Sequence, residues 1–242
     1  AIEEDPELAR RYTSAGNSVG IFTNGTRVLG LGDIGALASM PVMEGKAVLY
    51  DRFVGLSATP VLVDTKDPEE FVKTVETIAP TFGGIHLEDI RIPDCYYIED
   101  ELNRRLSHPV MHDDQHGTAT VTLAAVLSAL RETDRSDDDS LVCAQIGLGA
   151  AGLGIARLLM DHGFRVVGVD PSSGSQRRFD EHGCANVTLE DAMATGDVVI
   201  ATTGVVGLIK PEMVREGQII FALSNPVPEI APEEALAAGA AF

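Results

Sequence analysis

Basic residues are scarce in this sequence. Its 242 residues include 18 Lys and Arg against 37 Asp and Glu, which gives a formal net charge of −19. Nucleic acids and anionic membrane surfaces both bind clusters of basic side chains. The composition therefore argues against nucleic acid and membrane as partners, and it makes an isolated cation such as Lys46 conspicuous.

Long apolar runs and cysteines are also few. The longest apolar run, residues 121–130, is interrupted by Thr122 and Ser128 and is too short to cross a bilayer. No basic segment precedes an apolar stretch at the start, so no secretory signal is predicted. The three cysteines are odd in number and lack C-x-x-C spacing, which favours a reducing compartment. We expect a cytoplasmic protein.

Short apolar runs alternate with helical patterns, which predicts an α/β fold with mostly parallel strands. Asp67 and Pro68 mark the start of one helix. The segment 117–132 is expected to be one largely buried helix, and 133–140 a polar surface connection. The predicted strands cover residues 18–23, 60–63, 84–87, 109–111, 141–146, 165–170, 197–202 and 218–223.

Two G-x-G-x-x-G runs differ in their context. Gly147, Gly149 and Gly152 follow a predicted strand and open a predicted helix over 151–162, and Asp170 ends the next strand. This is the arrangement of a Rossmann dinucleotide site, with pyrophosphate at a helix N-terminus and the acid on the adenosine ribose. The run at 30–35 lacks that context, because Pro41 interrupts any helix that follows. We interpret it as a loop that lines a site.

Acidic pairs follow two of the predicted strands. Glu88-Asp89 comes after 84–87, and Asp113-Asp114 comes soon after 109–111. Carboxyl ends of neighbouring parallel strands meet at one sheet edge, where such acids would favour a hard cation, Mg²⁺ or Mn²⁺. Without further evidence, solvated loop ends are the favoured interpretation of these acids at this point. His112 and His116 are interpreted as polar loop residues rather than metal ligands.

Taken together, these segments resemble the malic enzymes, specifically the small bacterial type. The resemblance is carried by six stretches in order: TNGTRVLGLGDIG (23–35), PVMEGKAVLY (41–50), TFGGIHLEDI (81–90), HDDQHGTA (112–119), IGLGAAGLGIARLL (146–159) and FALSNP (221–226). It implies a parallel-sheet substrate and metal domain, placed at 1–114, and then a Rossmann-like NAD(P)-binding domain, placed at 115–242. It also implies oxidative decarboxylation of (S)-malate to pyruvate and CO₂, with reduction of NAD⁺ or NADP⁺.

The resemblance implies a role for each matching residue. Lys46 would be the general base, which requires a lowered pKa, and Asp113 would assist it. Arg27 would bind a malate carboxylate, and Asn225 would lie near nicotinamide and substrate. The metal ligands would be Glu88, Asp89 and Asp114. The enzymes of this family usually form homo-oligomers, which we expect here.

Two departures from the family pattern concern the ends of the chain. The tyrosine that acts as the acid belongs to a Tyr-Thr-Pro-Gly motif expected before residue 1, and an asparagine-rich substrate segment is expected after Phe242. We therefore expect a fragment with little turnover of its own. Asp170 favours NAD⁺, although Arg177 and Arg178 leave NADP⁺ possible.

Two other functions are compatible with these patterns. A metal-independent amino-acid dehydrogenase also pairs a lysine-bearing domain with a Rossmann domain. A non-catalytic module could instead sense a nucleotide through residues 141–242. An inactive relative is disfavoured, because Lys46, Arg27 and the three expected metal ligands are all present.

Overall fold

The computed structural model describes residues 1–136, 138, 140–181 and 183–242. These residues form two compact units, Ala1–Asp114 and Gln115–Phe242, each built on a parallel sheet. The predicted α/β class is confirmed. No helix of the described residues has the length and apolar character needed to span a bilayer. The three cysteines are free thiols.

The sheet of the first unit has the strand order β2-β1-β3-β4. The register pairs Phe22 with Leu87 and Leu87 with His112, so these strands end at a common edge. The strands are β1 (Ser18–Thr23), β2 (Ser57–Leu62), β3 (Gly84–Leu87) and β4 (Val110–His112). The helices are α1 (Leu8–Tyr12), α2 (Met40–Leu49), α3 (Pro68–Ile78) and α4 (Asp94–Arg105).

Local sequence explains where the helices of the first unit begin. Asp67 caps α3, since its Oδ1 accepts hydrogen bonds from the backbone amides of Glu69 (2.9 Å) and Glu70 (3.2 Å). Pro41 lies in the first turn of α2, where a missing amide costs no helical hydrogen bond. The core packs α3 and α4 against the sheet, with Phe71 and Leu102 fully buried.

The second unit has the strand order β7-β6-β5-β8-β9, in which the direction of winding reverses between β5 and β8, as in a Rossmann fold. Its strands are β5 (Val142–Ile146), β6 (Arg165–Val169), β7 (Ala185–Asn186), β8 (Val198–Ala201) and β9 (Ile219–Ala222). Its helices are α6 (Ala150–Asp161), α7 (Ser173–Asp180), α8 (Leu189–Thr195) and α9 (Pro232–Ala237). A further helix, α5 (Asp113–Glu132), includes the last two residues of the first unit.

Several predicted boundaries were wrong. Strand β2 begins at Ser57, three residues before the prediction, because Pro60 is tolerated in an edge strand. Helix α5 begins at Asp113 rather than at residue 117, and it is buried along one face only, since Val121 is 66% exposed. In the predicted connection 133–140, residues 137 and 139 lie outside the described residues.

The predictions for two histidines also need correction. His112 is the last residue of β4 and is completely buried, and His116 lies within α5. Neither is a loop residue. The early start of α5 is the reason, because it leaves no loop between β4 and the helix.

Candidate active site

Four acidic residues lie at the edge where β3 and β4 end. Glu88 and Asp89 follow β3 directly, and Asp113 and Asp114 form the first turn of α5 directly after β4. Because Leu87 pairs with His112, the two acidic pairs follow adjacent strand ends. Glu88, Asp89 and Asp114 each offer a carboxylate oxygen, and these oxygens lie within 4.8 Å of one another. The structure therefore brings the three expected metal ligands together.

These three residues, called the acidic cluster below, carry negative charge that is left uncompensated at Asp89. Burial, followed by the charges of Asp114 and Glu88, raises the pKa of Asp89 to about 7. Burial acts in the same direction on Asp114, but the neighbouring His112 and Arg27 outweigh it and hold the pKa of Asp114 below its ordinary value. Asp89 also has a backbone φ of 54°, which is strained for a residue other than glycine. A cation would relieve the repulsion.

Lys46 extends from α2 to the same acidic residues. Its Nζ lies 2.8 Å from Oδ2 of Asp113 and 3.1 Å from Oε2 of Glu88. Burial acts to lower the pKa of Lys46, but the charge of Glu88 and the hydrogen bond and charge of Asp113 outweigh it and raise the pKa above its ordinary value. The expectation of a lowered pKa for Lys46 is wrong, because the attraction of Glu88 and Asp113 outweighs the effect of burial.

A second group of possible ligands, His86, Glu88 and Asp113, also lies within 4.8 Å. The ammonium of Lys46 contacts two of its three members, so this group already has a positive charge. Lys46 contacts only one member, Glu88, of the group formed by Glu88, Asp89 and Asp114. Less of the negative charge of that group is paired with Lys46, so it is the candidate metal site.

Two further residues of the site, His86 and Tyr50, were not predicted from the sequence. His86 of β3 is 2% exposed, and its Nε2 is hydrogen-bonded to Oε2 of Glu88. The hydroxyl of Tyr50 lies 2.8 Å from Nδ1 of the same ring. Burial, followed by the charge of Asp113, raises the pKa of Tyr50, which keeps its hydroxyl protonated. A histidine inside a strand two residues before an acid was the available signal, because alternate residues share a face.

Arg27 and the glycine-rich loop at 30–35 lie in the first unit. The backbone amide of Arg27 donates to the carbonyl of Asp89 (3.0 Å), and its side chain is exposed. Gly30 and Gly32 have φ values of 75° and 74°, which fit the tight turn closed by hydrogen bonds between Val28 and Gly32. The run is a loop and does not open a helix of the dinucleotide-binding type. The expectation that Pro41 interrupts any following helix is wrong, because Pro41 lies in the first turn of α2.

The second glycine run joins β5 to α6. Gly147 has a φ of 91°, Gly149 is the N-cap of α6, and Gly152 lies in its first turn. A Cβ on Gly152 would lie 1.8 Å from the carbonyl oxygen of Gly147, so only glycine fits there. Asp170 follows β6, and its Oδ2 accepts a hydrogen bond from the amide of Leu148 (2.7 Å). The acid and the glycine loop are thus in direct contact.

Asn225 lies in the segment that follows β9 and is exposed. Beside it, Ser224 donates to Oε1 of Glu229 (2.6 Å), and the amide and hydroxyl of Thr203 donate to the same oxygen (2.6 and 2.8 Å). Glu229 is completely buried. Burial acts to raise its pKa, but these hydrogen bonds outweigh it and lower the pKa. Glu229, which was not predicted from the sequence, is thus hydrogen-bonded to both Thr203 after β8 and Ser224 after β9.

Comparison with known proteins gives consistent results. The family model "Malic enzyme, N-terminal domain" matches residues 3–103. The NAD-dependent malic enzyme 1 of Bacillus subtilis is 56% identical over 243 residues, which cover 100% of this chain and 55% of that protein. The NADP-dependent malic enzyme of Escherichia coli is 42% identical over 96% of this chain and 32% of its own length. The chain thus spans about half of the length of the Bacillus subtilis relative and about a third of the length of the Escherichia coli relative.

A solved structure extends the similarity to the fold. The NAD-dependent malic enzyme of Thermotoga maritima superimposes with a TM-score of 0.90 and is 38% identical, and the match covers 99% of this chain and 68% of that one. The similarity extends over both units. The chain belongs to the malic enzyme family.

Proposed function

We propose that this chain carries the malate-, cation- and dinucleotide-binding parts of an enzyme that oxidises and decarboxylates (S)-malate to pyruvate and CO₂ and reduces NAD⁺ or NADP⁺. The proposal rests on the position of the Lys46 amine, which lies 2.8 Å from Asp113 and 3.1 Å from Glu88 of the acidic cluster. Similarity to NAD- and NADP-dependent malic enzymes supports the same reaction.

The proposed cation ligands are Glu88, Asp89 and Asp114. Their carboxylate oxygens suit Mg²⁺ or Mn²⁺. Burial, and then the charges of Asp114 and Glu88, raise the pKa of Asp89, and a bound cation would offset both effects. When bound, the cation would supply a Lewis acid that polarises the oxygens of the substrate.

Lys46 and Asp113 are the proposed proton-transfer groups. Lys46 would take the proton of the malate C2 hydroxyl, and Asp113 would hold the resulting ammonium through its hydrogen bond. The charge of Glu88 contributes to the raised pKa of Lys46. We therefore expect the base form of Lys46 to depend on neutralisation of Glu88.

Arg27 is the proposed partner of a malate carboxylate. Its backbone is hydrogen-bonded to Asp89, so its side chain begins beside the acidic cluster. The exposed guanidinium can form the paired hydrogen bonds that carboxylates favour.

The proposed dinucleotide site uses Gly147, Gly149 and Gly152 for the pyrophosphate and Asp170 for the adenosine ribose. The negative charge of Asp170 disfavours a 2′-phosphate, so we propose NAD⁺ as the preferred cofactor, which accepts the hydride. Asn225 would contact the nicotinamide or the substrate. Homo-oligomerisation and a cytoplasmic location stay predictions.

A chimera tests the proposal. Residues 1–242 would replace the corresponding segment of the Bacillus subtilis relative, and malate-dependent NADH formation would be measured. We expect activity that EDTA removes and Mn²⁺ restores. Lys46→Met should lower kcat by about 10²–10⁴-fold, the usual contribution of a general base. Lys66→Met is the matched control, because Lys66 pairs with Asp33 outside the cluster.

Two results would contradict the proposal. The first is a folded, NADH-binding chimera in which the Lys46→Met protein is as active as the Lys66→Met control. The second is dehydrogenase activity that EDTA leaves unchanged, which would indicate the metal-independent amino-acid dehydrogenase.

A further inference from the structure

We propose that His86 and Tyr50 are positioning residues for Glu88, which hold one oxygen of its carboxylate away from the cation so that the other oxygen is presented to it. This inference rests on the proposed function of the acidic cluster as a metal site. It goes further, because it assigns a role to two residues that are not themselves ligands and that do not follow from the sequence motifs.

The contact between His86 and Glu88 follows from strand geometry. The two residues are separated by one position at the end of β3, so their side chains lie on the same side of the sheet. Both are almost completely buried, with 2% and 6% exposure. Removal of the imidazole would therefore leave a buried carboxylate with one hydrogen bond fewer, rather than one that water can solvate.

Hydrogen-bond chemistry identifies which oxygen of Glu88 is held. An ionised carboxylate only accepts, so Nε2 of His86 is the donor to Oε2. The ammonium of Lys46 contacts the same Oε2 at 3.1 Å. Among the described residues, no side-chain hydrogen bond or ion pair reaches Oε1 of Glu88. Oε2 thus has two donors, and Oε1 is the oxygen left for a cation.

Tyr50 fixes the other side of the imidazole. Its hydroxyl lies 2.8 Å from Nδ1 of His86, and the two rings meet edge to face at a centroid distance of 5.6 Å. A tyrosine hydroxyl can donate to a bare Nδ1 or accept from a protonated one, so it holds the ring in either form.

The four side chains form a closed arrangement. Tyr50 follows Lys46 by four positions, at the point where α2 passes into a π-helical turn, so both project on the same side. Lys46 contacts Glu88 at one end of the His86–Glu88 pair, and Tyr50 contacts His86 at the other. A single helical segment therefore contacts both residues of the pair, Glu88 through Lys46 and His86 through Tyr50.

Mn²⁺ affinity tests this role without turnover. Binding of Mn²⁺ to the 242-residue chain would be followed by the electron paramagnetic resonance signal of the free ion. We expect His86→Leu to weaken binding by about 10–100-fold, as found for groups that orient metal ligands. Tyr50→Phe should weaken it less, because His86 keeps its bond to Glu88.

Two further variants separate positioning from general damage. In His86→Gln, the amide nitrogen lies as many bonds from Cβ as Nε2 of the histidine does, so it can still donate to Glu88. This variant should bind Mn²⁺ with most of the wild-type affinity. Tyr97→Phe is the matched control, because it likewise removes one hydrogen-bonded tyrosine hydroxyl, which here donates to Glu69 on an exposed surface. The Mn²⁺ affinity of this variant should equal that of the wild type.

The outcomes distinguish this inference from the proposed function. If the wild type binds Mn²⁺ and the folded His86→Leu and Tyr50→Phe proteins bind it equally well, the positioning role is wrong and the metal site stands. If the wild-type chain does not bind Mn²⁺, both proposals are wrong. Should His86→Leu fail to fold by circular dichroism, Tyr50→Phe decides: weakened binding supports the role, and wild-type affinity refutes it.

Discussion

Replacement of Gly152 by alanine tests the close approach that shapes the glycine loop. The added Cβ would lie 1.8 Å from the carbonyl oxygen of Gly147 and 2.9 Å from Nε2 of Gln145. Carbon–oxygen contacts in proteins lie at about 3.3–3.6 Å, so the helix and the loop would have to separate by roughly 1.5 Å. The obstacle is backbone, which cannot rotate away as a side chain can.

The expected loss of stability is large for a single methyl group. Overpacking costs about 1–3 kcal/mol, and the upper end applies here because neither element can move independently of the sheet. Alanine gains at most about 1 kcal/mol over glycine in helix propensity, which offsets only part of that cost. A net loss of about 2 kcal/mol lowers Tm by roughly 4–8 °C for a chain of this size.

Thermal unfolding by circular dichroism and an NADH fluorescence titration would measure both consequences. Gly174→Ala is the matched control, because its Cβ would meet only Oγ of Ser172 at 3.6 Å in the first turn of α7. We expect the control to keep its Tm and NADH affinity, and Gly152→Ala to lose both. A Gly152→Ala protein with unchanged Tm and NADH affinity would refute the described packing of the loop.

Three further predictions concern other parts of the chain. Asp67→Ala removes the acceptor that caps α3 and should lower the free energy of unfolding in urea by about 1 kcal/mol. Because the pKa of Asp89 is raised to about 7, its ionisation destabilises the metal-free fold as pH rises from about 4 to above 7. Asp89→Asn should therefore raise Tm at pH 8 but not at pH 4 when no metal is present. Asp170→Asn removes the negative charge beside the glycine loop, and fluorescence titrations should show the ratio of NADPH to NADH affinity rising by about tenfold, or about 1.4 kcal/mol.

Each of these predictions has a result that contradicts it. An unchanged urea midpoint for Asp67→Ala would mean that the cap contributes nothing. An Asp89→Asn protein that is less stable than the wild type at pH 8 would remove the argument for repulsion in the acidic cluster. An unchanged affinity ratio for Asp170→Asn would show that this charge does not select the cofactor.

Local patterns predicted the parts of the fold that depend on local physics. Strands β1 and β3 have the predicted bounds, because apolar runs ended by turn or acidic residues leave little choice of register. Asp67 caps α3 as its position before Pro68 indicated. The helical pattern after Gly147 correctly predicted the strand–turn–helix unit of β5 and α6. The proline after the first glycine run was misread as a helix breaker, because a proline is equally compatible with the first turn of a helix, where Pro41 lies.

Features that depend on tertiary contacts were not predictable from the sequence. The start of α5 at Asp113 depends on how β4 ends beside β3, so the two acidic residues of its first turn were not enough to place it. Glu229 is a buried acid whose partner Thr203 is distant in sequence. The contact of His86 with Glu88 had a local signal, but its contact with Tyr50 had none. The raised pKa of Lys46 likewise requires knowledge of which carboxylates surround it in space.

Anomalous diffraction from crystals of this chain soaked with Mn²⁺ would show directly whether the acidic cluster is a metal site. We expect one strong peak bonded to carboxylate oxygens of Glu88, Asp89 and Asp114, with Lys46 still paired to Asp113. A peak among His86, Glu88 and Asp113 with Lys46 displaced, or no peak near these residues, would contradict this expectation.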